Sequence, residues 1–489
     1  MNDLASRALD TATHRGATYA DVRLVDDRSR ALATKNGRIG TASDSRSQGF
    51  NVRVIADGAW GFASSADLSR DSIESTAASA VRIAKASAQV KQQDVTLVPE
   101  KPVRAVWTTP HEIDPFTTSI DENLALLAKI DIELRSVKGI TLAETNMNFR
   151  REEQRFFSSE GSDIHQTKIT TGAGYVAYSF WGSEIQKRSY PNSFGGQWQN
   201  KGYELVGELQ LVENARRIGE EALALHKADQ CPEGTFDIIL DSSQLGLQIH
   251  ESIGHPIELD RVLGMEANFA GTSFLTLEKL GTLKYGSELV NVVADAREEH
   301  GPGLGTFAFD DEGVPAQSTP IIANGLFTGY LSSRETASLV GLERSGGTLR
   351  GESWNRLPMI RMTNISILPG EEPLTLDELI ASTDHGILFA TNRSWSIDDK
   401  RYNFQFGTEI GWEIRKGRRA RMLKNPSYSG ITTEFWNSMD AICSRDEWTL
   451  WGTPNCGKGQ PQQVMGTGHG AAPARFRKVR VGSAYKGAS

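Results

Sequence analysis

Two histidines and a carboxylate fall within six residues in QIHESIGHPIELD, residues 248–260: His250, Glu251 and His255. Imidazole nitrogens bind divalent metals, and a carboxylate beside them can move protons, so the set points to metal-assisted hydrolysis. The spacing raises a geometric difficulty. Zinc proteases of the H-E-x-x-H type carry histidines four apart, and here they stand five apart. In a regular helix, positions i and i+5 diverge by about 140°, too far to share one ion. The sequence offers a remedy. Gly254 loosens the helix just before the second histidine, and Pro256 disfavours the α conformation at His255. A single π-type turn, or an exit from the helix into a turn, would return the second imidazole toward the first.

A catalytic zinc takes three protein ligands and keeps one position for water. The third ligand is open among Cys456, Cys443, His469, Glu258 and Asp260. Cys456 lies in TPNCGKGQP, where Pro454 and two glycines predict a tight turn that exposes the thiolate. Cys443, in MDAICSRD, has apolar neighbours and reads as a small hydrophobe, and Cys231 reads as structural. His469, in the Gly-rich GTGHGAA, reads as a mobile surface histidine. Glu251 is the candidate general base, which would take a proton from metal-activated water and give it to the leaving amine. Tyr428, Arg401 and His469 are candidates to steady the oxyanion. The competing reading of the histidine pair is a polar helix end that complements the helix dipole.

These residues need elements to hold them. TFDIIL, 235–240, reads as a buried strand, and Asp241-Ser242-Ser243 supplies capping side chains for the helix carrying His250. Upstream, the opening segment, with Leu4, Ala8, Leu9 and Ala12 on one face, and residues from about 67 to 90 read as helices. Residues 20–64 read as an antiparallel meander with turns at Asn36-Gly37 and Asp57-Gly58. Residues 96–118 read as a connector, 120–137 as an amphipathic helix, 139–190 as strands, and 203–226 as one helix. Downstream of 265 the chain is Gly-rich and strand-rich, with a short helix at 374–381. The prediction is an α+β fold: N-terminal helices on an antiparallel sheet (1–230) and a mostly-β C-terminal domain with one metal-binding helix (231–489). Strand 403–415, with Phe404, Phe406, Ile410 and Trp412, is either an edge for an extended peptide or core.

Bulk properties exclude other classes. The 489 residues carry a net charge of −8, which argues against a nucleic-acid footprint. The one basic run, RKGRRARMLK at 415–424, reads as a solvated hairpin tip. No apolar run reaches membrane-spanning length, and the first residues lack the apolar core of a secretory signal. Three scattered cysteines suit a reducing compartment, so the cytoplasm is expected.

HESIGHPIELD, NFQFGTEIGWEIRKGRR, NPSYSGITTEFW and the later NCGKGQP together resemble the TldD/PmbA family along essentially the whole chain. The resemblance implies a zinc metalloprotease with Zn2+ held by His250, His255 and Cys456, and with Glu251 as the catalytic carboxylate. It implies the TldD-like branch, which keeps the motif that its partner branch lacks. It also implies a homodimer, or a heterodimer with a motif-lacking paralogue, acting on unfolded or small peptides. Two other readings stand beside it: a non-catalytic peptide-binding partner or scaffold, and a zinc hydrolase of small amides.

Overall fold

The computed structural model describes residues 2–267 and 271–482. The first half is built on one sheet, in the order Ala59–Ser65, Arg38–Ala56, Tyr19–Lys35, Leu142–Ser158, Asp163–Trp181, Arg104–Thr108. The predicted meander is present, and both Asn-Gly and Asp-Gly turns carry the positive φ that selects those residues. Side-chain alternation then divides the sheet into two faces. Ala20, Val22, Leu24 and Leu32 face the helices Asn2–His14, Arg70–Ser87, Ile120–Ser136 and Leu211–Ala224, which cover one side in two apolar clusters. The opposite register carries Asp21, Arg23 and Arg53, all buried, toward the second half of the chain. There Arg23 bonds Asp311, and Arg53 bridges Asp21 and Glu312.

Two expectations change here. Part of the 96–118 connector, Arg104–Thr108, joins the sheet as a parallel edge strand. The helix expected over 203–226 is two helices, Glu204–Glu208 and Leu211–Ala224. Gln210 between them is left-handed, at φ 48°, which a continuous helix does not tolerate.

The second half holds two larger sheets. One runs His385–Ile397, Gly234–Leu240, Ala474–Val481, Ser427–Ile431, Asn403–Arg415, Arg418–Lys424, Asp229–Gln230. The other runs Leu326–Phe327, Ser318–Ala323, Val292–Asp295, Asn364–Ile367, Gln463–Ala471, Thr449–Lys458. The helix Ser242–Ile249 packs against strands of both, with Leu245 and Ile249 fully buried. Its N-cap is Asp241, whose carboxylate accepts from the Gln244 amide at 2.8 Å, as the Asp-Ser-Ser signal predicts. Strand Asn403–Arg415 has partners on both sides, so the peptide-edge reading fails and its aromatics are core, with Phe406 fully buried. The short helix appears as Leu376–Ala381, with Thr375 and Glu378 forming a capping box. No described helix is long and apolar enough to cross a membrane.

Candidate metal centre

After Ile249 the helix widens into a π-turn, His250–Gly254, closed by the i+5 bond from His255 N to His250 O at 3.2 Å. One extra residue in the turn absorbs the fifth position of the spacing. The two imidazoles meet with ring centroids 4.8 Å apart. The cause differs in part from expectation. His255 keeps right-handed helical angles, φ −68° and ψ −43°, despite the proline after it. The widening itself does the re-aiming. Gly254 is needed there for close approach: a Cβ on it would stand 2.1 Å from Met362 Sδ, inside a packed core. Gly254→Ala is therefore expected to cost roughly 1–3 kcal/mol and to weaken metal retention, read by urea midpoint and zinc content.

The third donor arrives from another sheet. Cys456 lies on strand Thr449–Lys458, with its Sγ 3.7 Å from His255 Nε2. The expected tight, exposed turn is absent at Cys456, which is 4% exposed and paired across the hairpin with Met465. The ligand atoms of His250, His255 and Cys456 all lie within 4.8 Å of one another. Of the other candidates, Cys443 is fully buried in the core, as a small hydrophobe, and Cys231 is buried too. All three cysteines are free of disulfides.

His469 overturns its expectation. It is 1% exposed, and its Nε2 is 2.7 Å from His250 Nδ1. The glycines around it serve contact rather than mobility: a Cβ on Gly468 would stand 2.1 Å from Asn364 Oδ1, and one on Gly470 1.8 Å from Trp448. In the strand Gln463–Ala471, Thr467 and His469 alternate with glycines and share the face toward His250. That period of two was the available signal, hidden by its glycine content.

Hydrogen bonds settle the tautomers by elimination. His469 Nδ1 lies 3.2 Å from the Ile365 carbonyl, which can only accept, so Nδ1 donates there. His469 Nε2 then accepts from His250 Nδ1, leaving the His250 Nε2 lone pair free. His255 Nδ1 is 3.1 Å from Glu258 Oε2, leaving its Nε2 free toward Cys456. Burial favours the neutral rings: it pushes His250 down to about 4, and it also lowers His255 and, with His250 alongside, His469. Burial alone would raise the Cys456 thiol, but His255, when its Nε2 carries the thiol's proton, and Arg361 outweigh it and bring the thiol below its ordinary value. Two neutral nitrogens and a thiol biased toward thiolate suit a borderline-soft divalent ion such as zinc.

Glu258 and Asp260 support the site from behind. Lys458, fully buried, stands 3.3 Å from Glu258 and 2.7 Å from Asp260, and donates to the Ile360 carbonyl. Lys458→Met would leave two buried carboxylates without this cation, and the expected cost is about 3–5 kcal/mol in chemical denaturation. Of the three oxyanion candidates, Tyr428 is spent on Gln244 and Gln248 behind the helix, and His469 on His250. Arg401 reaches the site differently. Its Nη1 stands 2.5 Å from Glu251 Oε2. It does so from the 398–402 hairpin loop, in left-handed conformation at φ 65°. Asp398 closes that loop by accepting from the amides of Arg401 and Tyr402.

Residues 233–483 match the family model described as PmbA/TldA metallopeptidase C-terminal domain, and residues 20–84 match that for PmbA/TldA metallopeptidase domain 1. A metalloprotease of Methanothermobacter thermautotrophicus is 30% identical over 95% of either chain. A zinc metalloprotease TldD homolog of Saccharolobus solfataricus is 22% identical, over 96% of this chain and 98% of its own. The crystal structure of TldE from Thermococcus kodakarensis shares the fold, with TM-score 0.72 and 16% identity, over 98% of this chain and 100% of that one.

Proposed function

Since the chain belongs to the TldD/PmbA metallopeptidase family, we propose that it is a zinc-dependent peptidase of unfolded or small peptides. In this reading His250, His255 and Cys456 hold the ion and Glu251 is the catalytic carboxylate. The observation that carries it is the convergence of two imidazole nitrogens and one sulfur beside a carboxylate held by an arginine. A bound zinc ion supplies Lewis acidity, acidifying water and polarising a scissile carbonyl. The protein's own groups do the rest. Arg401 occupies Oε2 of Glu251, so Oε1, which accepts from no described residue, takes the proton of the attacking water and passes it to the leaving amine. His469 and Glu258 hold the ligand rings in the tautomers that present both Nε2 atoms.

The proposal includes a cytoplasmic enzyme divided at 230/231 into an α+β domain and a metallopeptidase domain. It acts as a homodimer or with a motif-lacking paralogue. A purely non-catalytic partner would have no use for a carboxylate set against a closed donor trio. The test is metal analysis together with cleavage of a fluorogenic unfolded peptide, with and without such a paralogue. One zinc per chain is expected, with turnover lost to a chelator and restored by zinc. Full cleavage by metal-free protein would sink the reading.

A further inference from the structure

A cavity of about 250 Å³ lies between the first sheet and the hairpin that carries Cys456. Trp198, Leu304 and Met465 give it apolar walls, and Arg350 lines it as well. Met465 is the residue opposite Cys456 in the hairpin, so the cavity adjoins the candidate metal centre.

The charges around this cavity are unevenly satisfied. Glu152 is bound by Lys168 and Arg150, which hold its carboxyl at about 2 against the opposing effect of burial. Arg30 is bound by Asp44. Arg350 differs. It is 6% exposed, makes no ion pair with any described residue, and bonds only the carbonyls of Met362 and Gly466. Its Nε is buried without a partner. Nearby Arg361, also fully buried, adds repulsion rather than relief. Asp311, another acid in its neighbourhood, is committed to Arg23, Gln154 and the Gly351 amide. A buried cation lacking a counter-charge is costly unless a ligand completes it.

We propose that this cavity is a carboxylate subsite of the peptidase: it takes the C-terminal residue of a peptide, with the terminal carboxylate on Arg350 and a bulky apolar side chain against Trp198, Leu304 and Met465. The inference rests on the peptidase reading and adds substrate direction to it. Nη2 is taken up by the two carbonyls and Nε is buried, so Nη1, which donates to no described residue, is the nitrogen left for a carboxylate in a charge-assisted hydrogen bond, and the cavity holds about one large residue. The enzyme then favours free C-termini over blocked ones.

The test compares three fluorogenic hexapeptides with the zinc-loaded protein: one ending in Phe as the free acid, the same peptide amidated, and an amidated version with an internal Glu. The expected ratio of kcat/KM, free acid over amide, is about ten- to hundred-fold. Arg350→Gln should collapse that ratio to about one, and Arg350→Lys should restore part of it. Ala31→Phe narrows the cavity from the opposite wall without touching the carbonyls that Arg350 binds, and should also lower the ratio. If Arg350 only caps carbonyls, Arg350→Gln will slow free acid and amide in parallel and keep the ratio, which overturns the proposal. Equal preference for the internal-Glu amide overturns it as well. Anisotropy with the same peptides separates the two levels of claim. A protein that binds the free acid over the amide without cleaving either would refute the peptidase reading and keep the subsite; one that cleaves all three alike would do the reverse.

Discussion

Glu251→Gln is expected to abolish peptide turnover, by about 10²–10⁴-fold or more, while zinc stays at one per chain. The substitution keeps the shape of the side chain and an oxygen for Arg401, whose Nη1 lies 2.5 Å from Oε2. It removes the basic oxygen that accepts the proton. Glu251 is not in the candidate donor trio, so the groups proposed to hold the ion are untouched. Activity and metal content should therefore separate: kcat falls and zinc does not. Turnover retained in this variant would take Glu251 out of the reaction, and zinc lost along with activity would make it a ligand.

Cys456→Ser is expected to have the opposite signature, with zinc affinity falling by at least about a hundredfold and activity falling with it. The thiol here is biased toward thiolate by His255 and Arg361, and a serine hydroxyl at the same place does not ionise. It is also a harder donor, which suits zinc less well than sulfur. Competition with a chromophoric chelator reads the affinity directly. Wild-type affinity in the variant would mean that the third ligand is elsewhere. Because Arg361 donates to the Cys456 carbonyl and not to its sulfur, the strand should hold its place and the loss should be confined to the ion.

The candidate site was legible in the sequence where its chemistry is local. His250, Glu251, His255 and Gly254 lie within six residues, and helical periodicity alone shows that a five-residue spacing needs either a π-type turn or an exit from the helix to bring the histidines together; the structure takes the first. The capping signal at Asp241 and the two hairpin turns before residue 60 were local as well. Legibility failed where glycine was taken for freedom. GTGHGAA is a buried strand, and its glycines admit Asn364 and Trp448 at distances that no Cβ allows. Cys456 was read as exposed for the same reason.

Residue types and short spacings by themselves picked out the candidate ligand pair, the carboxylate beside it and the need for a local departure from regular helix, because a helix couples neighbours through its own backbone. Only the tertiary structure decided which sulfur stands beside them, that His469 and Glu258 orient the rings, and that Arg401 holds one oxygen of Glu251. Those partners lie 150 to 219 residues from the motif, apart from Glu258. Whether they reach it depends on how two sheets pack around one helix, and no local periodicity encodes that packing.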